Sequence, residues 1–153
     1  MSIAPIVRSV EVKAAPAAAF DLFTTRIGDW WPKGKTVAKA PHEAILIEPR
    51  PGGRWLERDA EGNEIPWGKV LVWEPPSRLV LGWQLGSQWA YDPDFLTEVE
   101  LTFDALPSGG TRVTLEHRNL ERFGAVAETI RGQLDGGWPA RLADFERFAE
   151  TEA

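Results

Sequence analysis

Two periodicities of apolar and polar positions divide the chain. Thr97, Val99, Leu101 and Phe103 fall on one face of residues 97–103 and Glu98, Glu100 and Thr102 on the other, the period of two expected of a half-covered strand. Pro107-Ser108-Gly109-Gly110 supplies a hairpin turn, after which Val113, Leu115 and His117 continue an inward row on the returning strand. Weaker alternation runs through residues 6–12, 43–48, 54–58 and 65–73, and Leu79, Leu81, Trp83 and Leu85 alternate cleanly with Val80, Gly82 and Gln84. Turn-forming stretches separate these runs: residues 49–53 (PRPGG), residues 59–63 (DAEGN) and Pro75-Pro76. Connections this short predict antiparallel hairpins rather than parallel crossovers.

Helical spacing occupies the remainder. Pro16 suits the first turn of a helix over residues 17–23, with Ala19, Phe20 and Phe23 on one side. Thr25 to Trp31 predicts about two more turns, ended by Pro32, with Gly34 releasing the chain into a polar connector. Residues 121–150 carry Ile130, Leu134, Trp138, Leu142, Phe145 and Ala149 as one stripe on a helix about 40 Å long. Gly136, Gly137 and Pro139 interrupt that stripe, and Pro139 predicts a bend or break. Residues 86–95 hold Trp89, Tyr91 and Phe95, too apolar for a solvated loop, and read as a lid. Strand, two helices, six strands and a long helix predict an α+β fold in which the last helix covers a curved antiparallel sheet. A sheet wrapped around a helix leaves a gap unless large side chains fill it.

That gap gives the composition its meaning. Eight tryptophans occur among 153 residues: Trp30, Trp31, Trp55, Trp67, Trp73, Trp83, Trp89 and Trp138. Any one is more simply read as core, but indoles are bulky and their N–H needs a partner when enclosed. Together they suggest a cavity with flat walls and a few N–H donors. Strand parity turns Trp83 inward, and the helical stripe turns Trp138 toward it. Trp55 shares a face with Glu57, either beside a buried acid or on the exposed side. Trp67 and Trp73 share the parity of Lys69 and Leu71 unless a bulge intervenes. Trp30 and Trp31 stand about 100° apart if helical, so at most one faces the cavity. The candidate ligand contacts are Trp30, Trp31, Trp55, Trp83, Trp89, His117, Trp138 and Leu142.

His117 is the best polar candidate, although a histidine tucked against the helix and satisfied by backbone is the plainer reading. The other histidine is His42, and no H-E-x-x-H spacing occurs, so neither metal nor cofactor is expected. Glu98 and Glu100 read as a solvated sheet face, Asp92 and Asp94 as turn chemistry around Pro93, and Pro51 to Arg54 (PGGR) as a turn lacking the phosphate-loop pattern. No catalytic set can be argued from spacing.

At 153 residues the chain fits one domain, taken as 1–153, with a core that needs no staples. The net charge of −6 is dispersed, without the basic run that nucleic acid would require. Absence of Cys excludes disulfides, thiolate metal sites and a cysteine nucleophile. No apolar run precedes Arg8 and Glu11, so no signal peptide is read, and residues 79–91, the longest uncharged stretch, fall short of the roughly 20 residues of a membrane span. A cytoplasmic protein is expected.

The segments VEVKAAPAAAFDLFTTRIGDWWP, PGGRWLERDAEGNEIPWGKVLVWEPPSRLVLGWQ, TEVELTFDALPSGGTRVTLEHRNLERFG and GGWPARLADFERF resemble the START/Bet v 1-like (SRPBCC) superfamily. They are most similar to its bacterial branch related to the C-terminal domain of activators of the heat-shock-protein-90 ATPase (AHSA-type). The resemblance implies a helix-grip fold: seven antiparallel strands around the C-terminal helix, two short helices after the first strand, and an apolar cavity inside. It does not select one activity, since the superfamily spans lipid transfer, hormone reception, cyclisation and chaperone activation. The expected function is binding of a small apolar or aromatic ligand. A protein-interaction module ranks second, and a cyclase or dehydratase using His117, Tyr91 or Glu57 for proton transfer ranks third.

Overall fold

Seven strands pair in the order β1-β7-β6-β5-β4-β3-β2, every neighbour antiparallel. They are β1 (Ile6–Val12), β2 (His42–Ile47), β3 (Arg54–Asp59), β4 (Glu64–Glu74), β5 (Arg78–Trp83), β6 (Thr97–Ala105) and β7 (Thr111–Arg118). The structure, a computed structural model, describes residues 3–32 and 42–152. The connector expected after Gly34 lies outside the described residues.

The period-two rows become the core. Thr97, Val99, Leu101 and Phe103 of β6 and Thr111, Val113, Leu115 and His117 of β7 are all buried on one face. On the opposite face Arg118 bridges Glu98 and Glu100, and Arg78 bonds Glu100. Glu98 and Glu100 thus belong to a half-exposed ionic ladder, worth little to stability because water competes for it.

Helix α1 (Pro16–Thr24) starts with proline where a missing N–H costs nothing and buries Ala19, Phe20 and Phe23. Helix α2 (Ile27–Trp30) is a single turn rather than two. It stops early because Pro32 forces the residue before it out of helical geometry, and Trp31 is extended at φ −74°, ψ 123°.

The long helix is interrupted in a different place from the one expected. Residues Leu120–Val126 form a 3-10 segment in which Gly124 adopts φ 71°, ψ −136°, a conformation that only glycine accepts readily. From there α3 (Ala127–Glu152) runs unbroken through Pro139. Proline removes one intrahelical bond, while Leu134, Trp138, Leu142 and Phe145 on either side stay buried and hold the turn in place.

Two bulges reset parity along β4. The register slips between Trp55 and Leu56 against β3, and between Val70 and Val72 against β5. Trp67 is therefore buried while Lys69 is exposed, so the shared parity of those two residues does not hold. Trp73 ends elsewhere, packed edge-on to Phe20 at 5.0 Å.

Candidate functional site

Between sheet and α3 lies a cavity of about 580 Å³, within the roughly 300–1,000 Å³ typical of small-molecule sites. Five indoles line it: Trp31, Trp67, Trp83, Trp89 and Trp138. Each comes from a different element, so the wall exists only in the folded chain. Trp31 follows α2, Trp67 sits at a β4 bulge, Trp83 ends β5, Trp89 tips a hairpin, and Trp138 projects from α3.

Edge-to-face and tilted contacts knit these rings together. Trp83 meets Trp138 at 5.7 Å, Trp138 meets Trp31 at 6.2 Å, and Trp31 meets Trp67 at 5.1 Å. Trp55 closes the circuit, 5.6 Å from Trp67 and 5.9 Å from Trp83. Gly68 stands between Trp55 and Trp83 in the cross-strand register. A Cβ there would lie 1.7 Å from the Gly82 carbonyl oxygen, so only glycine fits between the two indoles. Such contacts fix ring orientation at about 0.5–1.5 kcal/mol per pair.

Three of the five indole N–H groups are taken by protein acceptors, unlike the donors expected in the cavity wall. Trp67 Nε1 donates to Glu57 at 2.8 Å, Trp83 Nε1 to the Leu85 carbonyl at 3.0 Å, and Trp138 Nε1 to His117 Nδ1 at 3.0 Å. A ligand therefore meets π-faces and edges. The polar groups at the wall are Gln88, Gln133 and Arg141.

His117 is fully buried behind Trp138. An indole nitrogen can only donate, so Nδ1 is the acceptor and the ring proton sits on Nε2, donating to Thr97 Oγ1 at 2.8 Å. Burial pushes its pKa down to about 3, so the ring is neutral with both nitrogens engaged. It orients Trp138 and does not reach the cavity. Glu57, also fully buried, stands behind Trp67, and Tyr91 is exposed beside a second cavity of about 470 Å³. The three residues considered for proton transfer thus occupy separate places.

Of the eight sequence candidates, Trp31, Trp83, Trp89 and Trp138 line the cavity. Trp30, Trp55, His117 and Leu142 do not. Trp30 packs at 5.4 Å on Phe145 and donates to the Leu22 carbonyl, while Leu142 is core. Sequence reasoning missed Trp67, Leu85, Gln88, Gln133, Leu134, Gly137 and Arg141 as lining residues. A usable signal existed for the helix: Gln133, Gly137 and Arg141 recur every four residues beside the apolar stripe.

The lid expected over residues 86–95 contains a hydrogen-bonded hairpin. Leu85 bridges Tyr91, Gly86 N donates to the Ala90 carbonyl at 3.0 Å, and Trp89 N to the Gly86 carbonyl at 2.9 Å. Trp89 closes the loop at φ 57°, a position usually given to glycine or asparagine. Its ring lies 6.1 Å from Trp83 in the cavity wall, a contact that helps to offset the backbone strain.

Residues 13–150 match the family model described as Activator of Hsp90 ATPase homolog 1-like protein, AHSA1. The chain belongs to the AHSA1 family. Among solved structures this AHSA1 chain is similar to an anthrahydroquino-gamma-pyrone synthase, Txn09, complexed with SUM: 40% identity over 95% of this chain and 97% of that one, TM-score 0.67. It is also similar to the self-sacrificing resistance protein CalC from Micromonospora echinospora, at 32% identity over 98% and 96%, TM-score 0.75. The Aha1 dimer from Colwellia psychrerythraea, 15% identical over 97% of both chains with TM-score 0.67, shares the fold. No curated protein matches. Among the described residues of this AHSA1 chain, no helix is long and apolar enough to cross a membrane, and no group of three His, Asp or Glu side chains could hold a metal ion.

Proposed function

We propose that the protein binds a small, flat aromatic molecule in the cavity between sheet and α3. The observation that carries this reading is the wall of five indoles, three of whose N–H groups are already taken by the protein, leaving π-surface for stacking. Filling plain volume would not require a strained Trp89 in the wall. Txn09 is named as an anthrahydroquino-gamma-pyrone synthase, and that relationship agrees with a cavity used for ring systems.

The reading is tested by titration with N-phenyl-1-naphthylamine, an uncharged flat fluorophore. Its emission rises and Trp emission falls, saturating at one probe per chain. A linear response without saturation contradicts the proposal.

A second reading, ring closure of a bound polyketide-like substrate, draws on the 40% identity to a synthase. Conversion of an open-chain aromatic precursor, followed by mass spectrometry and chromatography, separates it from binding alone.

A further inference from the structure

The indole wall alone would accept any flat molecule, including a cation, because aromatic cages hold positive charge well. One residue of the wall argues otherwise. Arg141 lies one turn beyond Gly137 and Trp138 on the lining face of α3, with its side chain 16% exposed. Its Nε donates to Asp144 Oδ2 at 2.9 Å. A guanidinium carries five N–H donors, and the two amino groups of Arg141 have no acceptor among the described residues.

Asp144 is shared, since Arg147 also donates to it from the exposed side. Asp144 is thus divided between two guanidiniums, while Glu146 balances the turn, and Arg141 is the one charged residue among the described residues that line the cavity. The wall's other polar groups, Gln88 and Gln133, are neutral. A planar fork with unspent donors beside a low-dielectric aromatic wall suits an ionised oxygen acceptor and repels a cation.

We infer that the ligand of this cavity is an aromatic acid, its ring system lying against the indoles and its ionised oxygen, such as a carboxylate, on the Arg141 guanidinium. This rests on the aromatic-binding reading above and adds the sign of the ligand's charge. Asp144 engages Nε and leaves both amino groups without an acceptor among the described residues.

The test compares anthracene-2-carboxylate with anthracene-2-carboxamide, which have the same shape and differ in charge, by quenching of Trp emission at neutral pH. The wild-type protein binds the carboxylate about tenfold more tightly, a factor equal to about 1.4 kcal/mol. In Arg141→Gln the preference collapses toward one, because the carboxylate loses far more affinity than the carboxamide. The variant keeps its fold, because Asp144 retains Arg147 as partner. Arg147→Gln, which alters the same Asp144 cluster from the exposed side, keeps the preference. Saturable binding of both probes with equal affinity, or a preference that survives in Arg141→Gln, overturns the inference and leaves the aromatic-binding reading intact. Failure of both probes to saturate overturns both readings, and saturation by the carboxamide alone overturns the inference.

Discussion

Replacing Gly137 with Phe should abolish binding of N-phenyl-1-naphthylamine, a loss of at least about 100-fold or about 2.7 kcal/mol, without destabilising the protein. Gly137 lines the cavity from the middle of α3, and a Cβ built on it meets nothing within 4 Å. The glycine is therefore not demanded by packing. In a helix interior it costs up to about 1 kcal/mol relative to Ala, so a larger side chain there relieves a local penalty. A helical side chain leans toward the preceding turn, which would carry the phenyl ring over Gln133 and Leu134, both wall residues. Urea denaturation and probe titration on the same variant check both halves. A variant that is stable and still binds normally would place the binding site elsewhere.

The second large effect is acid sensitivity set by His117. Its folded pKa of about 3 lies below the ordinary 6.5 because burial penalises the imidazolium. Between those values the unfolded chain holds a proton that the folded chain does not, so folding stability falls as pH falls. The loss begins near pH 6.5 and amounts to about 1.5 kcal/mol by pH 5. A proton on Nδ1 would also confront the Trp138 N–H, donor against donor, so the native contact cannot accommodate it. Among the described residues the ring contacts Thr97, Trp83 and Trp138, none of which titrates in this range. Glu48, held down to about 2 by hydrogen bonds from the Arg54 side chain and backbone, destabilises the fold only at lower pH, from about 4.5 downward. Urea midpoints at pH 5 and 6.5 for wild type and His117→Gln isolate the effect: the wild-type difference should shrink in the variant. An equal difference in both would assign it to other groups.

These consequences were unevenly legible in the sequence. Where side chains alternate without interruption, as in Thr97 to Phe103 and Val113 to His117, parity alone places the inner row, because successive residues of a strand must point to opposite faces. Trp83 and Trp138 followed from the same geometry. Trp67 did not, since a one-residue bulge inverts parity and has no consistent local signature. The fate of Trp30 and Trp31 was half-visible: Pro32 announced the helix end, but that Trp31 itself becomes extended and swings into the wall depends on the Trp-Pro link. Pro139 did not break the helix as expected, and the interruption fell at Gly124, which the sequence reading had not singled out. A proline is a local statement about one hydrogen bond, whereas the positive φ at Gly124 reflects how the chain must turn from β7 onto the sheet. Arg141 was not singled out in the sequence, because its meaning depends on cavity walls contributed by four other elements.

The central claim is that one face of the indole cluster is a binding surface. The most direct measurement follows the tryptophan indole N–H signals in a 15N-labelled sample as N-phenyl-1-naphthylamine is added. Ring currents from a bound fluorophore should shift Trp31, Trp67, Trp83, Trp89 and Trp138, while Trp73, packed on Phe20 away from the cavity, stays in place. Saturable binding that leaves those five signals unmoved, or shifts Trp73 as much as the others, would contradict the account.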